Sequence, residues 1–189
     1  ASDPRPLVLL PVGKLTNIAL ALKKDPTIAN KVRVVWLGSN YPAPGEYNQE
    51  NDPESVGYVI ERSDVPFEIV TVSYGKQTGT DAVRATREEI RAKMPGKGPR
   101  VAAPVIGREG GSHHTFGDYS VALFDRINLN GNPPSRALYD MAAVAIVKNP
   151  AWARARRIPA PRLDANGWVD RPGHRRTVVV WEHFDRAAI

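Results

Sequence analysis

Apolar positions along the chain follow two rhythms. Leu7 to Leu10 is a short continuous apolar run, the mark of a strand buried on both faces. After Pro11-Val12-Gly13-Lys14, the residues Leu15, Ile18, Ala19 and Leu22 recur at the i, i+3, i+4, i+7 spacing of one helix face. Asp25-Pro26 punctuates that helix, and Val32 to Leu37 is a second buried strand ending in Gly38-Ser39-Asn40. Strand, helix, strand in that order predicts a parallel pair with a right-handed crossover. Beyond a loop rich in Pro and Gly (Tyr41 to Gly45), Asp52-Pro53-Glu54 reads as an N-cap with proline at the first helical position, and Val56, Val59 and Ile60 form the buried stripe.

Phe67 to Val72 is a third strand. Thr80 or Asp81 is expected to cap a helix in which Val83, Thr86, Ile90 and Met94 face inward and the charged residues face water. Pro95 to Gly117 is loop-like, and Asp118 to Leu129 and Arg136 to Lys148 are helical candidates. Arg157 to Leu163 and Thr177 to Trp181, around the turn Asn166-Gly167, predict an antiparallel pair appended to the parallel sheet, with a helix starting near Phe184. The expectation is one α/β domain, residues 1–189, with a mainly parallel sheet, flanking helices and an antiparallel C-terminal strand pair. No internal repeat or linker interrupts it.

Composition narrows the chemistry. Cysteine is absent from the 189 residues, which excludes disulfides, thiolate metal sites and a cysteine nucleophile. The longest apolar run, Leu7 to Val12, is far below the roughly 20 residues needed to span a bilayer. A soluble protein is expected, cytoplasmic or exported after signal removal. The net charge of +6, from 26 Lys and Arg against 20 Asp and Glu, brings nucleic acid into consideration. The basic residues Arg154, Arg156, Arg157, Arg171, Arg175 and Arg176 lack aromatic interleaving, however, and read better as a solvated face.

Open α/β sheets bind ligands beyond the carboxyl ends of their strands. The segments there carry Lys14, Thr16 and Asn17 after the first strand, and Asn40, Glu46, Asn48, Glu50, Asn51 and Asp52 after the second. In an extended stretch Glu46 and Asn48 share a face, and a carboxylate beside an amide can grip adjacent hydroxyls. Ordinary loop composition is the plainer reading of the same residues. His113-His114 lacks a third ligand at helical spacing and reads as solvated loop. Ser73-Tyr74-Gly75-Lys76 lacks phosphate-loop spacing and reads as a turn. Trp36 and Trp181 fall in strands and read as core; Trp152 and Trp168 could line a pocket, with core or edge packing as the default.

Pro11-Val12-Gly13-Lys14-Leu15-Thr16-Asn17-Ile18-Ala19-Leu20-Ala21-Leu22, then Val34-Val35-Trp36-Leu37-Gly38, then Glu46-Tyr47-Asn48 with Asp52-Pro53-Glu54, resemble the inosine-uridine preferring nucleoside hydrolases. Leu138-Tyr139-Asp140-Met141-Ala142 resembles that family's His-Asp-Pro-x-Ala segment. The resemblance implies a nucleoside hydrolase-like, Rossmann-like fold. It also implies hydrolysis of the N-glycosidic bond of a nucleoside or related riboside, with a calcium ion holding the ribose diol and the attacking water. Carried over, the Thr16 carbonyl and Asp140 would be metal ligands, and Glu46, Asn48 and Asn40, six residues before Glu46, would contact the sugar. Tyr139 would stand where a catalytic histidine serves the leaving base.

Two departures follow. The family's opening Asp-x-Asp-x-x-x-Asp-Asp strand has no counterpart in the sequence, so the chain resembles the C-terminal portion of such a protein. A phenol with a pKa near 10 is also a poorer proton donor than imidazolium. Calcium binding by the chain alone is therefore expected in the millimolar range or weaker, with impaired hydrolysis. The alternative is a non-catalytic sugar- or nucleoside-binding module on the same fold. A sheet lacking its first strands should expose an apolar edge, which predicts a homo-oligomer, a missing N-terminal segment, or poor stability.

Overall fold

The computed structural model describes residues 5–189. In chain order the elements are β1 (Leu7–Leu9), α1 (Thr16–Lys24), β2 (Val32–Ser39), α2 (Tyr47–Glu50), α3 (Pro53–Glu61), β3 (Phe67–Thr71), β4 (Arg84–Thr86), α4 (Arg87–Lys93), β5 (Arg100–Ile106), β6 (Ser112–Thr115), α5 (Phe116–Arg126), β7 (Ser135–Ala137), α6 (Tyr139–Lys148), β8 (Arg154–Pro159), β9 (Arg162–Asp164), β10 (Gly167–Val169) and β11 (Thr177–Glu182). They form two compact units, a larger one that runs to Val83 and resumes at Leu138, and a smaller one, Arg84–Ala137.

The larger unit is built on a five-stranded sheet in the order β1-β2-β3-β11-β8. The first three pairings are parallel and the last, β11 with β8, is antiparallel. Leu7 lies opposite Val32 and Val34 opposite Phe67, so the three apolar runs lie side by side, with β1 at the edge of the sheet. Because successive side chains alternate between faces, each strand feeds two cores. Val34, Trp36 and Ile69 pack on one face with Leu15, Val56, Val59 and Ile60 of the neighbouring helices, and Val35, Leu37 and Val70 pack on the other with Ala142, Ala143 and Ile146 of α6. The small alanines let α6 lie close to the sheet.

Local chemistry fixes the helix starts. The Asp52 carboxylate accepts from Ser55 N–H, and Pro53 has no amide to leave unsatisfied at the first turn. Lys23 and Lys24 close α1 at the negative end of its dipole. The two outer strands differ: β1 presents Leu7, 63% exposed, whereas β8 carries Arg154, Arg156 and Arg157, and such charges disfavour further strand pairing.

Several boundaries differ from the sequence reading. The helix expected from Thr80 starts at Arg87, and Thr86 is its cap rather than an inward-facing residue: its hydroxyl accepts from Glu89 N–H while Glu89 accepts from Thr86 N–H, a capping box. Residues 95–117 contain a hairpin, β5 with β6, that places His113 and His114 on a strand rather than in a loop. The helix expected from Arg136 starts at Tyr139, because Ser135–Ala137 pairs with β4. Asn166-Gly167 closes its own small hairpin, β9 with β10, and the strand paired with β11 is the earlier β8. No helix starts at Phe184; that ring is buried, and Asp185 turns the chain by accepting from the amides of Ala187 and Ala188.

Candidate functional site

The carboxyl ends of β1, β2 and β3 converge on a set of polar loops. The loop after β1 is held from below: Leu37 N–H donates to Pro11 O at 3.1 Å and the Trp36 indole N–H donates to Gly13 O at 2.9 Å. A cavity of about 670 Å³ opens beside it, lined in part by Leu9, Leu10, Lys14, Thr16 and Asn17. Thr16 begins α1, so helical geometry aims its carbonyl at the amide of Leu20 and leaves one lone pair of that oxygen for another partner. Its hydroxyl donates to Asp52 Oδ2, and Ser55 Oγ donates to the same oxygen at 2.7 Å. The Thr16 hydrogen bond, with those of Ser55, holds the Asp52 pKa below its usual value against a smaller effect of burial.

Beyond β2, Gly38 lies where a Cβ would strike the Trp36 ring, so only glycine admits the chain there. Ser39 Oγ donates to Gln49 Oε1 at 3.0 Å, and the Trp168 indole donates to that oxygen at 2.9 Å. The Tyr41 phenol donates to Asp170 at 2.6 Å; burial first, then Asp170, pushes its pKa up to about 12. Asn40 donates through Nδ2 to Pro44 O at 3.3 Å, while its Oδ1 is buried without a hydrogen-bond partner.

Glu46 and Asn48 do not share an extended face. Glu46 is the N-cap of α2, 2% exposed, and its carboxylate accepts from Gln49 N–H at 2.9 Å and from the Asn48 backbone. Asn48 sits in the first turn and donates through Nδ2 to Leu37 O at 3.2 Å. Burial raises the Glu46 pKa, and the two backbone bonds oppose the shift. A carboxylate has about four acceptor positions, so these two bonds leave capacity for a ligand's hydroxyls.

At the end of β3 the chain turns sharply through Ser73 (φ 48°) and Gly75 (φ 70°), which displays Tyr74 at 45% exposure. The Tyr74 phenol accepts from Tyr47 N–H, the residue between Glu46 and Asn48. Its ring meets that of Tyr139 edge-on, centroids 6.0 Å apart at 85°. Tyr139 donates to Asp81 Oδ1 at 2.8 Å. Asp140 follows on the exposed side of α6, where partial desolvation raises its pKa. The structure therefore links Glu46, Asn48 and Tyr139 through Tyr74, and ties Thr16 to Asp52.

The sequence reading treated Tyr74 as part of a turn and Asp81 as a cap; the available signal was an aromatic residue placed directly after a strand's carboxyl end. Trp36, Trp181 and Trp168 pack as core or edge, as expected. Of the basic residues, Arg156 pairs with Glu182, Arg171 with Glu61, and Arg176 donates to the Val65 carbonyl. Among the described residues, no three acidic or histidine side chains gather into a possible metal site, and no helix is long and apolar enough to cross a membrane. A calcium ion that needs several carboxylates is not matched by this donor set.

A mainly parallel sheet with polar loops at its carboxyl end defines the class of α/β proteins that bind ligands there. The chain belongs to the family described as inosine-uridine preferring nucleoside hydrolase, whose sequence profile matches residues 1–186. It is 42% identical over 67 residues to a probable uridine nucleosidase of Oryza sativa subsp. japonica, covering 32% of this chain and 20% of that protein. It is 36% identical over 67 residues to an inosine-uridine preferring nucleoside hydrolase of Leishmania major, covering 32% and 21%. The crystal structure of a Bacillus anthracis inosine-uridine preferring nucleoside hydrolase superposes with a TM-score of 0.62 at 21% identity, over 95% of this chain and 56% of that one. A plant nucleoside hydrolase superposes with a TM-score of 0.64 at 18% identity, over 95% and 58%. The chain thus spans little more than half the length of these structures.

Proposed function

We propose that the chain binds the sugar of a nucleoside or related riboside at the carboxyl ends of β1, β2 and β3, within a protein that hydrolyses the N-glycosidic bond. The family membership over residues 1–186 carries this reading. The buried Glu46 carboxylate, the remaining donor and acceptor of the Asn48 amide, and the unpartnered Asn40 Oδ1 supply the groups that grip a diol. Hydrogen bonds from hydroxyls to a carboxylate shielded from water are the strong, charge-assisted kind.

The reaction adds water at the anomeric carbon, breaks its bond to the base nitrogen and returns one proton to the base. The residues present support binding better than these steps. Tyr139 donates its proton to Asp81, which serves orientation of a base rather than proton delivery. Of the two calcium ligands implied by the resemblance, only Asp140 is a carboxylate, and Thr16 contributes one neutral carbonyl lone pair beside its bond within α1. We therefore place hydrolysis by this chain alone at trace level. The second reading, a non-catalytic sugar- or nucleoside-binding module, is favoured by the same lack of a gathered acidic cluster among the described residues.

Release of free base from inosine or uridine, measured with and without calcium, separates the two readings. Slow release that disappears in Asp140→Ala supports the hydrolase, and saturable binding without release of any base supports the binding module.

A further inference from the structure

The loop that carries Asn40 has little of its own to keep its shape. Pro42 and Pro44 donate no amide, and the turn is closed by Ala43 N–H to Asn40 O at 2.9 Å and by Asn40 Nδ2 to Pro44 O at 3.3 Å. The β9–β10 hairpin lies against this loop from far along the chain. Gly167, at its turn, rests on Pro44, where a Cβ would come within 3.3 Å of the proline side chain. The Trp168 ring meets that of Tyr41 edge-on, centroids 5.7 Å apart at 79°. Asp170, two residues on and so on the same face of the extended chain, accepts from the Tyr41 phenol at 2.6 Å. Leu163 of β9 anchors the hairpin on the core.

The indole of Trp168 ties the hairpin to both arms of the sugar-holding segment. An indole N–H can only donate, and this one is shared between Gln49 Oε1 at 2.9 Å and Ser39 Oγ at 3.0 Å, 119 and 129 positions away. The donor fixes which end of the Gln49 amide faces it. Ser39 Oγ accepts from Tyr41 N–H at 2.9 Å and sends its own proton to the same Gln49 oxygen at 3.0 Å. Ser39 and Gln49 are both buried, so water does not readily replace the indole. Each adjoins the proposed site. Ser39 precedes Asn40, and Gln49 follows Asn48 and donates its backbone N–H to the Glu46 carboxylate at 2.9 Å.

We propose that Trp168 is a positioning residue, and the β9–β10 hairpin a strap, that holds Asn40 on one arm and Glu46 with Asn48 on the other at the spacing a ribose diol requires. The inference rests on the riboside site proposed above and assigns the part of the fold that keeps it formed. Apparent affinity scales with the fraction of molecules already in the competent arrangement. Loosening the strap therefore weakens binding without deleting a contact to the sugar.

The test is an NMR titration with inosine at pH 7. Trp168→Phe keeps a ring against Tyr41 and removes the donor, and is expected to weaken inosine about five- to tenfold, the scale of one buried hydrogen bond. Leu163→Ala loosens the same hairpin without touching the network; it is expected to lower the melting temperature and to leave inosine affinity within about twofold. In the unaltered chain the Trp168 indole N–H resonance, assigned from its nuclear Overhauser contact with the Tyr41 ring, is expected to shift with inosine along the same saturation curve as the Gln49 amide. This readout stands even where Trp168→Phe does not fold. A stationary indole resonance while inosine binds, unchanged affinity in Trp168→Phe, or an equal loss in Leu163→Ala overturns the positioning role and leaves the riboside site standing. Absence of saturable inosine binding to the unaltered chain overturns the riboside site and this inference together.

Discussion

Trp36 donates its indole N–H to the carbonyl of Gly13 at 2.9 Å, joining the centre of the sheet to the loop that carries Lys14 and Thr16. The ring is fully buried and stacks on Phe67, centroids 6.0 Å apart. The contact makes the shape of a candidate-site loop depend on a core side chain. Trp36→Phe removes the donor, strands the Gly13 carbonyl and leaves a cavity, and is expected to cost about 2–4 kcal/mol. Urea unfolding followed by circular dichroism checks the value; a cost below about 0.5 kcal/mol, the range of an ordinary surface change, would show that the indole bond does not restrain the loop.

Asp52 joins Thr16 to the N-terminus of α3. Its folded pKa is lowered, so the stability it supplies is present above the unfolded pKa near 3.8 and is lost as pH falls through the lower folded value. Asp52→Ala is expected to destabilise by about 1 kcal/mol at pH 7, as for loss of an N-cap. The difference between the two proteins should shrink below pH 3.8. A difference independent of pH would contradict the assignment.

Glu46 has the opposite sign. Burial raises its folded pKa, so its protonated form is favoured in the fold: that stabilisation is present at pH below the unfolded value and is lost as pH rises through the folded one. Glu46→Gln retains an acceptor for the Gln49 amide and removes a buried charge. Its melting temperature at pH 7 is expected to equal or exceed that of the unaltered chain, by scanning calorimetry. A clear fall would mean that the charge is better compensated by α2 than its burial implies.

The parallel core was legible because Val32 to Leu37 and Phe67 to Val72 are largely buried on both faces and so read as unbroken apolar runs, whereas Leu7 to Leu10, equally apolar, lies at the sheet edge and is only partly buried. The β5–β6 hairpin was not, since every residue of β5 is exposed and no burial imposes a period of two. Thr86-Arg87-Glu88-Glu89 carried a capping signature that was overridden by an apparent helical stripe from Val83. Glu46, Asn48 and Asn40 could be singled out by position, but their conformation could not: a Glu at an N-cap ends the extended chain one residue before the pair would share a face. Tyr74 and Asp81 depend on contacts across the fold, with Tyr139 58 positions from Asp81, which no local pattern encodes.

Thr80 is fully buried and its hydroxyl has no hydrogen-bond partner. An unsatisfied buried hydroxyl costs free energy that an isosteric methyl does not. Thr80→Val is expected to be neutral or stabilising by up to about 1 kcal/mol in urea unfolding. Destabilisation beyond 1 kcal/mol or so would reveal a partner for the hydroxyl.

Calcium affinity reports on the donor set. With Asp140 as the one carboxylate assigned to the ion, calorimetric titration is expected to give a dissociation constant of about a millimolar or weaker. Micromolar binding would show that other side chains complete a site.

In the proposed function a riboside is held at the carboxyl end of the sheet by the Glu46 carboxylate. The most direct measurement is the affinity for inosine of the unaltered chain and of Glu46→Gln, both at pH 7. Saturable binding is expected that weakens about tenfold in the variant, as charge-assisted bonds become neutral ones, while its melting temperature does not fall. Equal affinity of the two proteins, or no saturable binding to either, would contradict it.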